Sequence, residues 1–130
     1  MTIVSAFAAS AVGAAEIPRT SFYSGNDVHG LCQHDRSSAF AYVAGLYDEA
    51  AHAALIVDGF RVPNRSPQND ALVEFALNRI VGYCAPTHAT LEQVTDVFCK
   101  YLREAPAEQD GLPAILFSQD LTKAWPCPGK

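Results

Sequence analysis

The chain has 130 residues, 49% of them hydrophobic and 18% charged, with a formal net charge of -5. That length suits one domain, and the apolar content is ample for a packed core and too rich for a disordered chain. The acidic balance, without any Lys/Arg cluster, excludes nucleic acid as an expected partner and fits a cationic one better.

Residues 1–15, MTIVSAFAASAVGAA, carry no charge, and small residues at Val12, Gly13 and Ala14 suit a signal-peptidase site. The run is shorter than the about 20 apolar residues that a membrane-spanning helix needs. It reads as a signal-peptide-like segment ahead of a single helical domain over 16–130, and export across the inner membrane to the periplasm is expected. The alternative is a plain N-terminal helix that packs on the domain.

Asn26 is a candidate N-cap for a short first helix, in which Val28, Leu31 and Cys32 repeat at helical spacing. From Ser37, the residues Phe40, Val43, Ala44, Tyr47, Ala50, Ala51 and Ala54 form one stripe, which predicts a long second helix. Its alanines and Gly45 narrow the stripe and suit close approach of another helix. The stretch from Asp58 to Asn69 is rich in Gly, Pro, Asn and Ser and predicts an exposed loop. A third helix follows, with Val73, Ala76, Leu77, Ile80 and Val81 on one face, ending near Gly82 and Pro86. Thr90 and Gln93 then form a capping box for a fourth helix, whose apolar face carries Leu91, Val94, Phe98, Tyr101 and Leu102. Pro113 opens a last helix with Ala114, Phe117, Leu121 and Ala124 inward, closed by Trp125, Pro126 and Cys127. No strand-like alternation appears. The expected class is all-α, a small bundle of four or five helices stapled by disulfides.

The chemistry-bearing residues favour structure over catalysis. In "YCAPTHATLEQV", Cys84 and His88 raise a nucleophile-and-base reading, but no cysteine-protease signature surrounds them. An even set of cysteines (Cys32, Cys84, Cys99 and Cys127) fits disulfides in an oxidising compartment, and none stands two to four residues from another, as zinc knuckles require. His29, His34, His52 and His88 are scattered, so no metal site is expected. Asp48 with Glu49, and Glu104 with Glu108, read as solvated charge rather than as acid and base pairs. No phosphate loop or nucleophile elbow is present. No enzyme activity and no cofactor are expected. In the predicted loop, Asp58, Phe60, Arg61, Asn64, Arg65 and Gln68 have the composition of a protein interface, against the plainer reading of a variable connection.

Five motifs in order give the chain a family likeness: Ser24-Gly25-Asn26-Asp27 with Cys32; Tyr42-Val43-Ala44-Gly45; Cys84-Ala85-Pro86 followed by Thr90 and Gln93; Tyr101-Leu102 with Pro106; and Ala124-Trp125-Pro126-Cys127. Over about residues 22 to 127 the chain resembles the Rap/Tai family of type VI secretion immunity proteins. The resemblance implies a small, helical, disulfide-bonded periplasmic protein, often a homodimer, that binds a peptidoglycan amidase effector and blocks it sterically. The loop from Asp58 to Asn69 would then fill the effector's cleft. Many members carry a cysteine where this chain has Ala39, while Cys99 is additional. Four cysteines allow three connectivities; the pairing expected first is Cys32 with Cys127, leaving Cys84 to Cys99 or reduced. A periplasmic helical chaperone or carrier of small apolar ligands is the alternative, and it would show an apolar cavity or a large exposed apolar patch.

Overall fold

The computed structural model describes residues 21–129 apart from Asn64, so the signal-like run over 1–15 lies outside the described residues. These residues form five α-helices: α1 (Gly25–His34), α2 (Arg36–Gly59), α3 (Pro67–Ile80), α4 (Leu91–Glu104) and α5 (Pro113–Ala124). A 3-10 turn, Pro106–Glu108, links the last two. The all-α expectation holds.

Each start is set by local chemistry. Ser24, not Asn26, caps α1: its hydroxyl accepts from the Asp27 amide at 3.3 Å while the Asp27 carboxylate accepts from the Ser24 amide at 2.7 Å. Asn26 instead donates through its side chain to Asp110 at 2.6 Å, and through its backbone to the Gln109 carbonyl at 2.7 Å. Gly25 sits so close beneath this turn that an added Cβ would lie 2.5 Å from the Gln109 oxygen. Asp35 caps α2 and Ser66 caps α3, with Pro67 in the first turn. The predicted box at α4 is present, with Thr90 accepting from the Gln93 amide and Gln93 accepting from the Thr90 amide.

Val28, Val43, Val94, Phe98, Leu102, Leu116, Phe117 and Leu121 make the core. The Phe98 and Phe117 rings meet edge to face, with centroids 5.3 Å apart, a geometry that suits the aromatic quadrupole. Helices α1, α4, α5 and the first half of α2 surround this centre. Two inward faces differ from expectation. On α5 the buried line is Pro113, Leu116, Phe117, Asp120 and Leu121, and Ala114 and Ala124 are exposed, because the helix turns Asp120 inward where an apolar pattern anticipates a hydrophobe. On α2, Ala51 is exposed, and nothing lies within 4 Å of a Cβ built on Gly45, so no helix backbone approaches there.

The cysteines pair as Cys32 with Cys99 and Cys84 with Cys127, at Cα separations of 5.7 and 4.8 Å. This corrects the expected Cys32–Cys127 link. The reason is packing: α1 lies against α4, which brings Cys32 to Cys99. The residues after α3 lie along the end of α5 instead. There Tyr83 and Pro126 form an antiparallel bridge, and the Cys84 amide donates to the Trp125 carbonyl at 2.8 Å.

Candidate functional site: the α2–α3 hairpin

The second half of α2 and the whole of α3 form a helical hairpin whose helices pack on each other. At its base, the Ser118 hydroxyl of α5 donates to the carbonyls of Arg79 at 2.9 Å and Ile80 at 3.2 Å. Residues advance about 100° apiece around a helix. Ala50, Ala53, Ala54 and Val57 therefore share one side of α2, and Val73, Ala76, Leu77 and Ile80 share one side of α3; these half-buried or buried faces meet. Val73 is the buried residue of α3.

The same wheel divides the hairpin into two flanks. Asp58, Arg61, Asp70 and Glu74 fall on one. Arg61 donates to Glu74 at 2.5 Å and stands 3.4 Å from Asp58. Its guanidinium pKa is raised, first by the hydrogen bond to Glu74 and further by the charges of Glu74, Asp58 and Asp70. On the other flank Ile56 of α2 and Phe60, its C-cap, face the same way as Leu72 and Arg79 of α3. Phe75 stands next to them, with the Arg79 guanidinium 5.5 Å from its ring centre. Toward the base this flank opens into a groove of about 1000 Å³ lined by Leu46, Ala50 and Ala53 of α2, Ile80 of α3, and Ile115 and Phe117 of α5. Ile56 at 51%, Phe60 at 59%, Leu72 at 68% and Phe75 at 63% exposure are large apolar groups left in water.

The predicted interface residues are distributed unevenly over this hairpin. The loop is shorter than expected, because α2 runs to Gly59 and α3 begins at Pro67. Asp58 closes α2, Phe60 projects at the turn, Arg65 is exposed with Asp70 3.8 Å away, and Gln68 is exposed in the first turn of α3. Asn64 lies outside the described residues. Arg61 is drawn inward to organise the turn and is a poor candidate for direct contact. Asn69 and Glu74 were not anticipated: the Asn69 amide side chain donates to the Phe60 carbonyl at 3.2 Å, and Glu74 anchors Arg61. Ser66-Pro67 with Asn69 three residues on was the legible signal for the first of these, since it marks a capped helix start.

Residues weighed for catalysis stand elsewhere. Cys84 is disulfide-bonded and offers no thiolate, and His88 is exposed in the following turn. Among the described residues no group of three or more His, Cys, Asp or Glu is placed to hold a metal ion. Asp120 is buried, and burial first, with the nearby Glu104 charge, pushes its carboxyl up to about 6 against the opposing pull of Lys123. Tyr101 beside it donates to Glu108 and is pushed up to about 12, chiefly by burial.

The family model of the Rap1a immunity proteins matches residues 24–127. This chain belongs to that family. The matched span runs from the Ser24 cap of α1 to Cys127, the last half-cystine, and so takes in the stapled core and the hairpin together. Comparison with curated proteins finds no match, and comparison with solved structures finds none either. Membership makes this an immunity-type protein, and the family implies a secreted effector as its binding partner. No helix among the described residues is long and apolar enough to cross a membrane.

Proposed function

We propose that this protein acts in the periplasm as an immunity protein that binds a type VI secreted peptidoglycan amidase and occludes its active-site cleft. The observation that carries the reading is the hairpin: a two-helix arm without a disulfide of its own, presenting Phe60, Val62, Arg65 and Gln68 at an exposed turn. A projecting turn with an aromatic, a guanidinium and an amide is suited to enter a cleft and exclude a peptide stem. Two disulfides and the uncharged apolar start of the chain support export to an oxidising compartment. Inhibition is steric and uses no cofactor.

The apolar flank supports a homodimer. Ile56, Phe60, Leu72, Phe75 and Ile115 each leave more than half of their surface in water, apolar area of the kind that association with a second copy would bury. This assignment also accounts for the groove, which the carrier reading would fill with a small apolar ligand instead. Light scattering across a dilution series, with and without an apolar dye, separates the two.

The function is tested by producing the protein with the amidase effector encoded beside it in the periplasm of a sensitive host. Rescue of growth and a complex on gel filtration are expected. Lysis without a complex rejects the immunity reading.

A further inference from the structure

Around the Cys32–Cys99 staple, two stripes of side chains have the same spacing. His29, Cys32 and Gln33 of α1 are followed by Arg36 at the start of α2, and Asp96, Cys99, Lys100 and Arg103 repeat those intervals along α4. The bond between Cys32 and Cys99 and the ion pair between Arg36 and Asp96 set the stripes antiparallel. All eight residues line one recess of about 330 Å³.

The two ends of that recess differ in charge. At one end Arg36 is satisfied: it pairs with Asp96, approaches the Cys99 sulfur at 3.5 Å and lies over the Phe40 ring. The antiparallel register sets His29 with Arg103 at the other end and Lys100 level with Cys32, while Gln33 lies level with Cys99 midway along the recess. No carboxylate other than Asp96 lines the recess. Among the described residues neither Lys100 nor Arg103 has an ion-pair partner, and the buried His29 Nε2 makes no hydrogen bond. In a chain of net charge -5, this is a concave surface of local positive sign.

We propose that this end of the recess binds a small free oxyanion carrying two negative charges, of the phosphate or sulfate class. Lys100 and Arg103 supply two uncompensated cations, the Arg103 guanidinium offers a forked pair of donors, and the Gln33 amide borders them from the middle of the same recess. The disulfide holds the α1 and α4 donors at a fixed separation, so little ordering is needed on binding. The site is separate from the hairpin and does not depend on the immunity reading.

The test is a titration of the full chain with sodium phosphate at pH 7.5, followed by amide chemical shifts at ionic strength held constant with sodium chloride. Saturable shifts are expected at His29, Gln33, Lys100 and Arg103. Acetate, a single charge, should bind at least about tenfold more weakly, because it leaves one cation unpaired. The double variant K100Q/R103Q should lower phosphate affinity by about tenfold or more without altering the melting temperature. Gln33→Glu, which places a carboxylate in the recess, gives the same loss by a different route, should the double variant fold poorly. Shifts that do not saturate, acetate binding equal to phosphate, or unchanged affinity in a folded variant overturn the proposal.

Discussion

In the half of the molecule around Phe98, the side chains of Val28, Phe98, Phe117 and Leu121 are enclosed and disulfides cross the packing. In the hairpin, Val73 is the buried residue of α3, and Leu55, Leu72 and Phe75 stand mostly in water. Both halves are built of α-helices. The difference lies in what opposes chain entropy: covalent links and buried rings in one, a thin apolar seam and an Arg61-centred ion network in the other. Local stability follows buried contact, so the hairpin should open without the core, while opening of the core unfolds the whole chain.

The largest effect should come from the staples. Replacing Cys32 and Cys99 together by Ala frees a 67-residue separation, which the chain-entropy model values at about 4 kcal/mol. Urea denaturation should show that loss, and one below about 1 kcal/mol would mean the core does not rely on its cross-links. Next comes Asp120→Asn. The folded carboxyl titrates near 6 against an ordinary 3.8, so its proton is lost first from the unfolded chain, and stability falls as pH rises between those values. The Asn variant should remove that slope and gain on the order of 1 kcal/mol at pH 7.5 while differing little at pH 4, the gain being trimmed by solvent screening. Denaturation curves at both pH values decide it; a variant less stable at pH 7.5 contradicts it.

Arg61→Ala should move stability less than either change above, because its partners Asp58 and Glu74 are solvent-exposed and such ion pairs contribute little, and the cost should be local. Hydrogen exchange should quicken in α3 and leave α4 unchanged; uniform acceleration would erase the contrast between the halves. Smallest of all, Phe75→Ser should change monomer stability by no more than about 0.5 kcal/mol. The same change should weaken self-association, read by sedimentation, if the apolar flank is the dimer face.

How much of this was legible follows from the range of the forces involved. The α4 cap and its stripe through Val94, Phe98 and Leu102 could be read directly, because caps and helical period are local properties. The α1 cap is also local, yet the expected cap Asn26 turns its amide to Asp110 far along the chain, and Ser24 with Asp27 caps the helix instead. The cysteine pairing was out of reach, since it depends on which helix α1 packs against and no spacing encodes that. Asp120 defeated the α5 face for the same reason, a carboxylate being the residue a pattern sends outward. At the hairpin, composition marked Phe60, Arg65 and Gln68 as exposed, but the division into a polar and an apolar flank needed both helices in register. One signal was there to be used: apolar residues run all round the second half of α2, at Leu55 and Ile56 as well as Val57, which for a surface helix implies a second covering.

The two disulfides interlace along the chain, the first joining 32 to 99 and the second 84 to 127. A peptide bond cut anywhere between those outer cysteines therefore leaves the pieces covalently joined. A protease that nicks the exposed turn near Val62 and Arg65 would yield one particle on a non-reducing gel and two bands after reduction. The projecting arm can thus be clipped while its two helices stay tethered to one frame.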